Sequence, residues 1–359
     1  MHARYFDNAA TTPVDPRVVE AMLPWFSEFP GNANSLHQYG TKAMDAVEKA
    51  RAQVARLIGA EDPSQITFTS GATEANNWVL HALKDQIEVS PFEHSSIRET
   101  AEILGIPTFR SHAVPVNNHG SISPRTATPS IWAQILVNNE NGFIFDQSNR
   151  LPGQYFVDAT QALGKVEIQL ENVSYASASA HKLYGPKGVG MLYQEEPHSL
   201  PAFLTGGGQE SGQRSGTFNV PGIVGFGKAA EIALHESKAH GNHVAWLSNL
   251  FFDSIESVQD FLVNGGDHRS PYILSLSFAG IEGETLLIEL DQAGFCCSAG
   301  AACSSQNTEP SPVLRAFGVP DEYIRGTIRV SFSHHNTEES TYQLAGEIRR
   351  IVTKLRELR

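Results

Sequence analysis

A chain of 359 residues exceeds one ordinary core and predicts about two domains. Hydrophobic residues make up 41% and charged ones 18%, a globular composition that excludes a disordered chain. A formal net charge of −13 with no basic stripe excludes a nucleic-acid partner, and no run nears the roughly 20 apolar residues of a membrane span.

Taken in chain order, residues 16–235 alternate β-rich runs with helical patterns, which predicts a mostly parallel sheet flanked by helices. The clearest elements are a strand over 65–69, a helix over 74–83, and strands over 134–137 and 155–157. Polar or Gly-rich residues follow each strand: Ser70-Gly71-Ala72-Thr73, Asn138-Asn139-Glu140 and Asp158-Ala159-Thr160-Gln161. Ligands of open α/β sheets dock outside the strands' carboxyl ends, so these three clusters are expected to share one crevice. A linking helix over 239–255 opens a second part, 236–359, with strands at 272–277 and 328–331 and a closing helix over 338–358. This part is expected to be a smaller α+β domain, with residues 1–15 packed on it. Three cysteines, all within 296–303, make no disulfide framework. With a start that lacks an apolar signal segment, they predict a reducing, cytoplasmic setting.

The candidate chemistry begins in Ser179-Ala180-His181-Lys182-Leu183-Tyr184-Gly185-Pro186. A lysine between a strand and a Gly/Pro turn can be a plain surface charge. It can also be a Schiff-base lysine, which must reach a carbonyl and shed its proton. Ser179, His181 and the backbone of Ala72 and Thr73 could bind a phosphate. Asp158, at a strand's carboxyl end, could be a helix cap. It could equally be the acid that pyridoxal phosphate needs beside its ring nitrogen. His94 could cap a helix or lie over that ring, and spacing does not separate the two.

With these residues in hand, the chain resembles the cysteine desulfurases of the class V aminotransferase group, fold-type I pyridoxal-phosphate enzymes. The matching stretches include Asp7-Asn8-Ala9-Ala10-Thr11-Thr12-Pro13, Thr69-Ser70-Gly71-Ala72-Thr73-Glu74, Glu93-His94, Asn138-Asn139-Glu140, Asp158-Ala159-Thr160-Gln161, His181-Lys182, Arg214-Ser215-Gly216-Thr217, Ser298-Ala299-Gly300-Ala301-Ala302-Cys303 and Ile328-Arg329-Val330-Ser331. The resemblance implies pyridoxal 5'-phosphate as cofactor, covalently held by Lys182, which also moves the Cα proton. It implies that Asp158 pairs with the ring nitrogen, Gln161 with the ring hydroxyl, and that His94 stacks on the ring. Ala72, Thr73, Ser179 and His181 would hold the phosphate, joined by Thr217 from the second subunit of a homodimer. Asn139 and Arg329 would bind the carboxylate of L-cysteine. Cys303, among small residues suited to a loop, would take the sulfur as a persulfide. It would then pass it to an acceptor: an iron–sulfur scaffold, a SufE-like protein or a tRNA-thiolation protein. No metal is expected.

The pattern departs from the family at Ala33, Ala180, Gln209 and His334, of which Gln209 and His334 bear on substrate positioning. The crossover over 142–154 carries Pro152 and Gly153 and no helical period, so a helix-free loop that uncovers part of the sheet is expected. Two rival readings remain: a selenocysteine or cysteine sulfinate lyase, and a sulfur or metal scaffold built on Cys296, Cys297, Cys303 and His334 or His335.

Overall fold

The computed structural model describes residues 2–112, 121–123, 130–300 and 310–358. The first eight strands are β1 (Ile66–Thr69), β2 (Ile87–Val89), β3 (Arg110–His112), β4 (Ser121–Ser123), β5 (Ile131–Ile135), β6 (Gln154–Asp158), β7 (Val173–Ser179) and β8 (Gly190–Gln194). β3 and β4 form a separate pair, and the other six make one sheet in the order β1-β8-β7-β6-β5-β2. Every neighbouring pair is parallel except the two made by β8.

Because alternate strand residues face opposite sides, each strand feeds two cores. The first six helices are α1 (Pro16–Met22), α2 (Pro24–Ser27), α3 (Gln38–Ile58), α4 (Ala72–Leu83), α5 (Ser95–Leu104) and α6 (Val220–Ile255). Tyr155 and Val157 of β6 pack with α3 and the first part of α6, whereas Phe156 between them packs with α4 and α5. The result is a three-layer α/β/α unit, the mostly parallel sheet that the strand–helix alternation predicts.

Helix α6 starts nineteen residues before the predicted helix, and the reason is close packing. Gly222, Gly225 and Gly227 read as helix breakers, since glycine costs about 1 kcal/mol in a helix interior. Yet a Cβ on Gly227 would lie 2.6 Å from the Cα of Ala50 in α3, and one on Gly225 would lie 2.6 Å from Met22 Sδ. Tertiary contact, not propensity, selects glycine there.

The second half of α6 enters another core with β9 (Phe261–Asn264), β10 (Ile273–Phe278), α7 (Gly283–Gln292), β11 (Thr327–Ser331) and α10 (Glu338–Glu357), while α8 (Pro312–Ala316) and α9 (Asp321–Ile324) pack in smaller clusters beside it. The strands run antiparallel in the order β11-β10-β9. Phe6 is fully buried in this core, and residues 6–9 lie against Ser331 of β11, with Tyr5 bridged to Cys296. Ser331 N–H donates to Phe6 O (2.7 Å), and Asn8 Nδ2 donates to Ser331 O (2.9 Å).

The β5–β6 crossover has no α-helix, only the 3-10 turn Gln147–Asn149. The expected uncovering of the sheet does not occur, however. Leu136, Tyr155 and Val157 are 1–3% exposed. The crossover closes the gap with its own side chains: Arg150 lies 5.1 Å over the Tyr155 ring, and Phe143 and Phe145 join Phe92 and Phe317 in an aromatic cluster. The Phe92 and Phe317 centroids are 4.3 Å apart and those of Phe143 and Phe145 4.9 Å. Such pairs contribute about 0.5–1.5 kcal/mol each beyond burial.

Candidate active site

Three strand ends meet at one cavity of about 460 Å³. The turn after β1 is pulled toward the end of β7 because Ala72 N–H donates to Ser179 Oγ at 2.7 Å. Gly190 of β8 permits that approach, since a Cβ there would lie 2.6 Å from the Cα of Gly71. Gly71 gives α4 no side-chain cap, and of its first N–H groups that of Ala72 is met by Ser179 Oγ at the cavity end. Ala72, Thr73 and Ser179 all line the cavity.

Asp158 closes β6, opposite Ile135 of β5 and Ser177 of β7. It is 3% exposed, with Oδ1 accepting Thr160 N–H (2.9 Å) and Oδ2 accepting Asn76 Nδ2 (3.1 Å). The helix-cap alternative for Asp158 is thus half right: it caps a turn and still lines the cavity. Asn76, one turn into α4, went unnoticed in sequence because a helical Asn carries no motif.

His94 is the N-cap of α5 and at the same time lines the cavity, so capping does not remove it from the site. Ser96 N–H donates to His94 Nδ1 (3.2 Å), so Nδ1 is an acceptor and the neutral ring carries its proton on Nε2. Burial lowers its pKa, against the pull of Asp158. His94 therefore offers a hydrogen-bond donor, not an acceptor.

Lys182 sits in the 3-10 turn Ala180–Lys182 that follows β7 and lines the cavity. Its Nζ donates to Ala9 O (2.7 Å) and Ala10 O (2.8 Å). Gln161 Nε2 donates to the same Ala9 O (2.8 Å). His181 beside it is pushed down to about 4 by burial and next by Lys182, so it is neutral. Its Nδ1 lies 3.1 Å from Thr11 Oγ1. Gln161, His181, Asn139 and Arg329 complete the set of predicted residues on the cavity wall.

Thr217 is the exception. It is exposed and lines no part of this chain's own cavity. Its loop is tied to α4 by Arg214 Nε, which donates to Glu74 Oε1 at 2.7 Å. Gln209 Oε1 accepts Gly216 N–H (2.9 Å), which gives Gln209 a part in shaping that loop. His334 lines no wall of the cavity either. It stacks on His240 with centroids 4.0 Å apart, and burial drops its pKa to about 3.

Cys303 lies outside the described residues. Neither Cys296 nor Cys297 lines the cavity, and burial pushes both thiols up, Cys297 strongly. Among the described residues, no group of three or more His, Cys, Asp or Glu is arranged to hold a metal ion.

The donor set suits a planar, anionic, nitrogen-containing cofactor. Asn76 Oδ1, Thr160 Oγ1 and Arg329 Nε, all on lining residues, are buried without a partner. Such atoms are costly in a closed core and ordinary where a ligand docks.

Behind His94, Glu93 is 0% exposed; its Oε1 accepts Ile135 N–H (2.7 Å) while Oε2 is unpartnered. Burial above all pushes its pKa up to about 8. An unfolded Glu titrates near about 4.3, so between there and 8 the folded protein keeps a proton that the unfolded chain has lost. Stability therefore falls as pH rises through that window. Glu93→Gln keeps the acceptor and removes the titration. In urea unfolding it should gain on the wild type between about pH 5 and pH 8; a constant difference would show that Glu93 is not protonated.

Comparison with known proteins places this geometry in a family. The aminotransferase class-V model matches residues 4–344. The chain is 37% identical to cysteine desulfurase IscS 1 of Archaeoglobus fulgidus, covering 99% of this chain and 98% of that one. It is 37% identical to cysteine desulfurase NifS of Azotobacter vinelandii, over 98% and 93%. A solved NifS-like protein superposes with a TM-score of 0.85 at 34% identity, covering 98% of this chain and 99% of its own. With strand ends, lysine loop and sequence all in agreement, the chain belongs to the aminotransferase class-V family and groups there with the cysteine desulfurases.

Proposed function

We propose that the protein is a pyridoxal-phosphate-dependent cysteine desulfurase that converts L-cysteine to L-alanine and leaves the sulfur on Cys303 as a persulfide. The observation that carries this reading is the convergence of Lys182, Asp158, His94, Gln161, Ser179 and Arg329 on one cavity. When bound, the cofactor supplies an electron sink that acidifies the Cα–H bond and weakens the Cβ–Sγ bond.

The chain's own groups do the rest. Ala72, Thr73, Ser179 and His181 hold the phosphate, with α4's dipole in support. Asp158, fixed by Asn76 and the Thr160 amide, keeps the ring nitrogen protonated. Gln161 donates to the ring hydroxyl. Lys182 holds the cofactor and then carries the Cα proton. His94, with its proton on Nε2, would stack on the ring and offer a donor there. Arg329 and Asn139 hold the substrate carboxylate. The Cys303 thiolate attacks Sγ; the S–S bond forms, the Cβ–Sγ pair stays with the three-carbon fragment, and protonation releases alanine.

Two units are proposed, 16–235 carrying the cofactor and 236–359 with 1–15 carrying Arg329 and the Cys303 segment; their support is the pair of separate cores. A homodimer in a cytoplasmic setting belongs to the same reading, since Thr217 is exposed and away from its own chain's cavity. The sulfur would pass to an acceptor protein of iron–sulfur assembly or tRNA thiolation. No described helix is long and apolar enough to cross a membrane.

The test is alanine and persulfide production from L-cysteine, with and without added pyridoxal phosphate. Alanine formed only with the cofactor supports the proposal. Faster turnover of selenocysteine or cysteine sulfinate under the same conditions would favour the lyase reading.

A further inference from the structure

Arg329 is 2% exposed and its guanidinium is already heavily committed. Nη1 donates to Asn139 O and to Gly300 O, each at 2.7 Å, and Nη2 donates to Asp7 Oδ1 at 3.0 Å. A guanidinium has five N–H donors. Three are spent on these acceptors, leaving one on Nη2 and the one on Nε, which has no partner. Two free donors are what a carboxylate fork requires. Asp7 is the only carboxylate paired with this cation among the described residues. It is fixed there because its neighbours bond to Ser331 of β11: Ser331 N–H donates to Phe6 O, Asn8 Nδ2 to Ser331 O and Ala9 N–H to Ser331 Oγ, with Asp7 itself bridging Ser331.

From this arrangement we infer that Asp7 is a positioning residue for substrate recognition: it aims the Arg329 fork and balances its buried charge before the amino-acid carboxylate arrives. The inference rests on the proposed desulfurase reading and assigns Asp7 a part in it. Two forces act on Arg329 without Asp7. The cation would be buried beside carbonyls alone, which is costly, and its plane would lose the side-chain contact that sets Nη2. Both weaken carboxylate binding and neither concerns the amine or the cofactor.

The experiment compares L-alanine, which carries the carboxylate, with ethylamine, the same skeleton without it. Each is titrated into the pyridoxal-phosphate-loaded protein and followed by the cofactor's visible absorption. Asp7→Ala should weaken L-alanine roughly tenfold or more while ethylamine stays within about twofold. Asp7→Asn keeps an acceptor oxygen and loses the charge, so it should weaken L-alanine by less and leave ethylamine unmoved; it carries the test alone where Asp7→Ala does not fold. Equal weakening of both amines would reduce Asp7 to a support of the fold and overturn the inference. Unchanged L-alanine binding would overturn it as well. A wild type that takes up no pyridoxal phosphate would instead overturn the desulfurase reading, and this inference with it.

Discussion

Cys303→Ser is expected to bind pyridoxal phosphate with wild-type affinity and to make almost no alanine from L-cysteine, a loss of at least about a thousandfold. Serine keeps the shape and removes the thiolate, the nucleophile that attacks Sγ and takes it from Cβ. A free thiol titrates near about 8.5 and is only a few per cent ionised at neutral pH, so the site must help Cys303 deprotonate. The other two cysteines are poorly placed for the task. Burial raises both thiols, and neither lines the cavity. Cys296→Ser and Cys297→Ala should therefore leave turnover largely intact. Mass spectrometry after a brief pulse of L-cysteine should find the added sulfur on the peptide holding Cys303. Sulfur on Cys297, or wild-type turnover by Cys303→Ser, would assign the nucleophile elsewhere.

Borohydride reduction of the loaded protein should fix the pyridoxyl group to Lys182, and Lys182→Ala should lose turnover by at least about a thousandfold. The serious competitor is Lys165. Burial, then Lys182 and Arg329, pull its pKa down to about 7, so much of it is a free amine at neutral pH. Its setting argues against it. Lys165 Nζ is 3.4 Å from Gln161 Oε1 and 5.4 Å from the Tyr272 ring centroid, and it does not line the main cavity. Lys182 lines that cavity. A label found on Lys165 or Lys187 would end the assignment.

Legibility in the sequence followed the range of the interaction. Asp158, Lys182 and the turn at Ser70–Thr73 could be read because each belongs to a local strand-then-turn pattern, and the fold delivers strand ends to one edge. The dual part of His94 could not be resolved from spacing, because capping α5 and lining the cavity use the same position. Asn76 carried no local sign, and Asp7 stood in a recognisable stretch that gave no sign of its partner: Asn76 meets Asp158 across 82 positions, and Asp7 meets Arg329 across 322. Helix α6 was misjudged at its start since glycine's propensity says nothing about a neighbouring helix pressed against it. The covering of the crossover was missed for a related reason. Phe143 and Phe145 looked like loop residues until Phe92 and Phe317 supplied the other half of their cluster.

Residues 5–12 touch both halves of the molecule: Phe6 and Asn8 bond to β11, while Ala9 and Ala10 hold Lys182 and Thr12 N–H donates to His181 O (2.9 Å). This strap is made before its anchor strand, which follows more than 300 positions later. During synthesis the lysine loop and the phosphate turn can form while the strap has nothing to lie on. Loop closure over such a separation is slow and comes late. Newly made chains are thus expected to pass through a stage in which the sheet is folded but the lysine pocket lacks one wall, so that uptake of the proposed cofactor would report that β11 has been made.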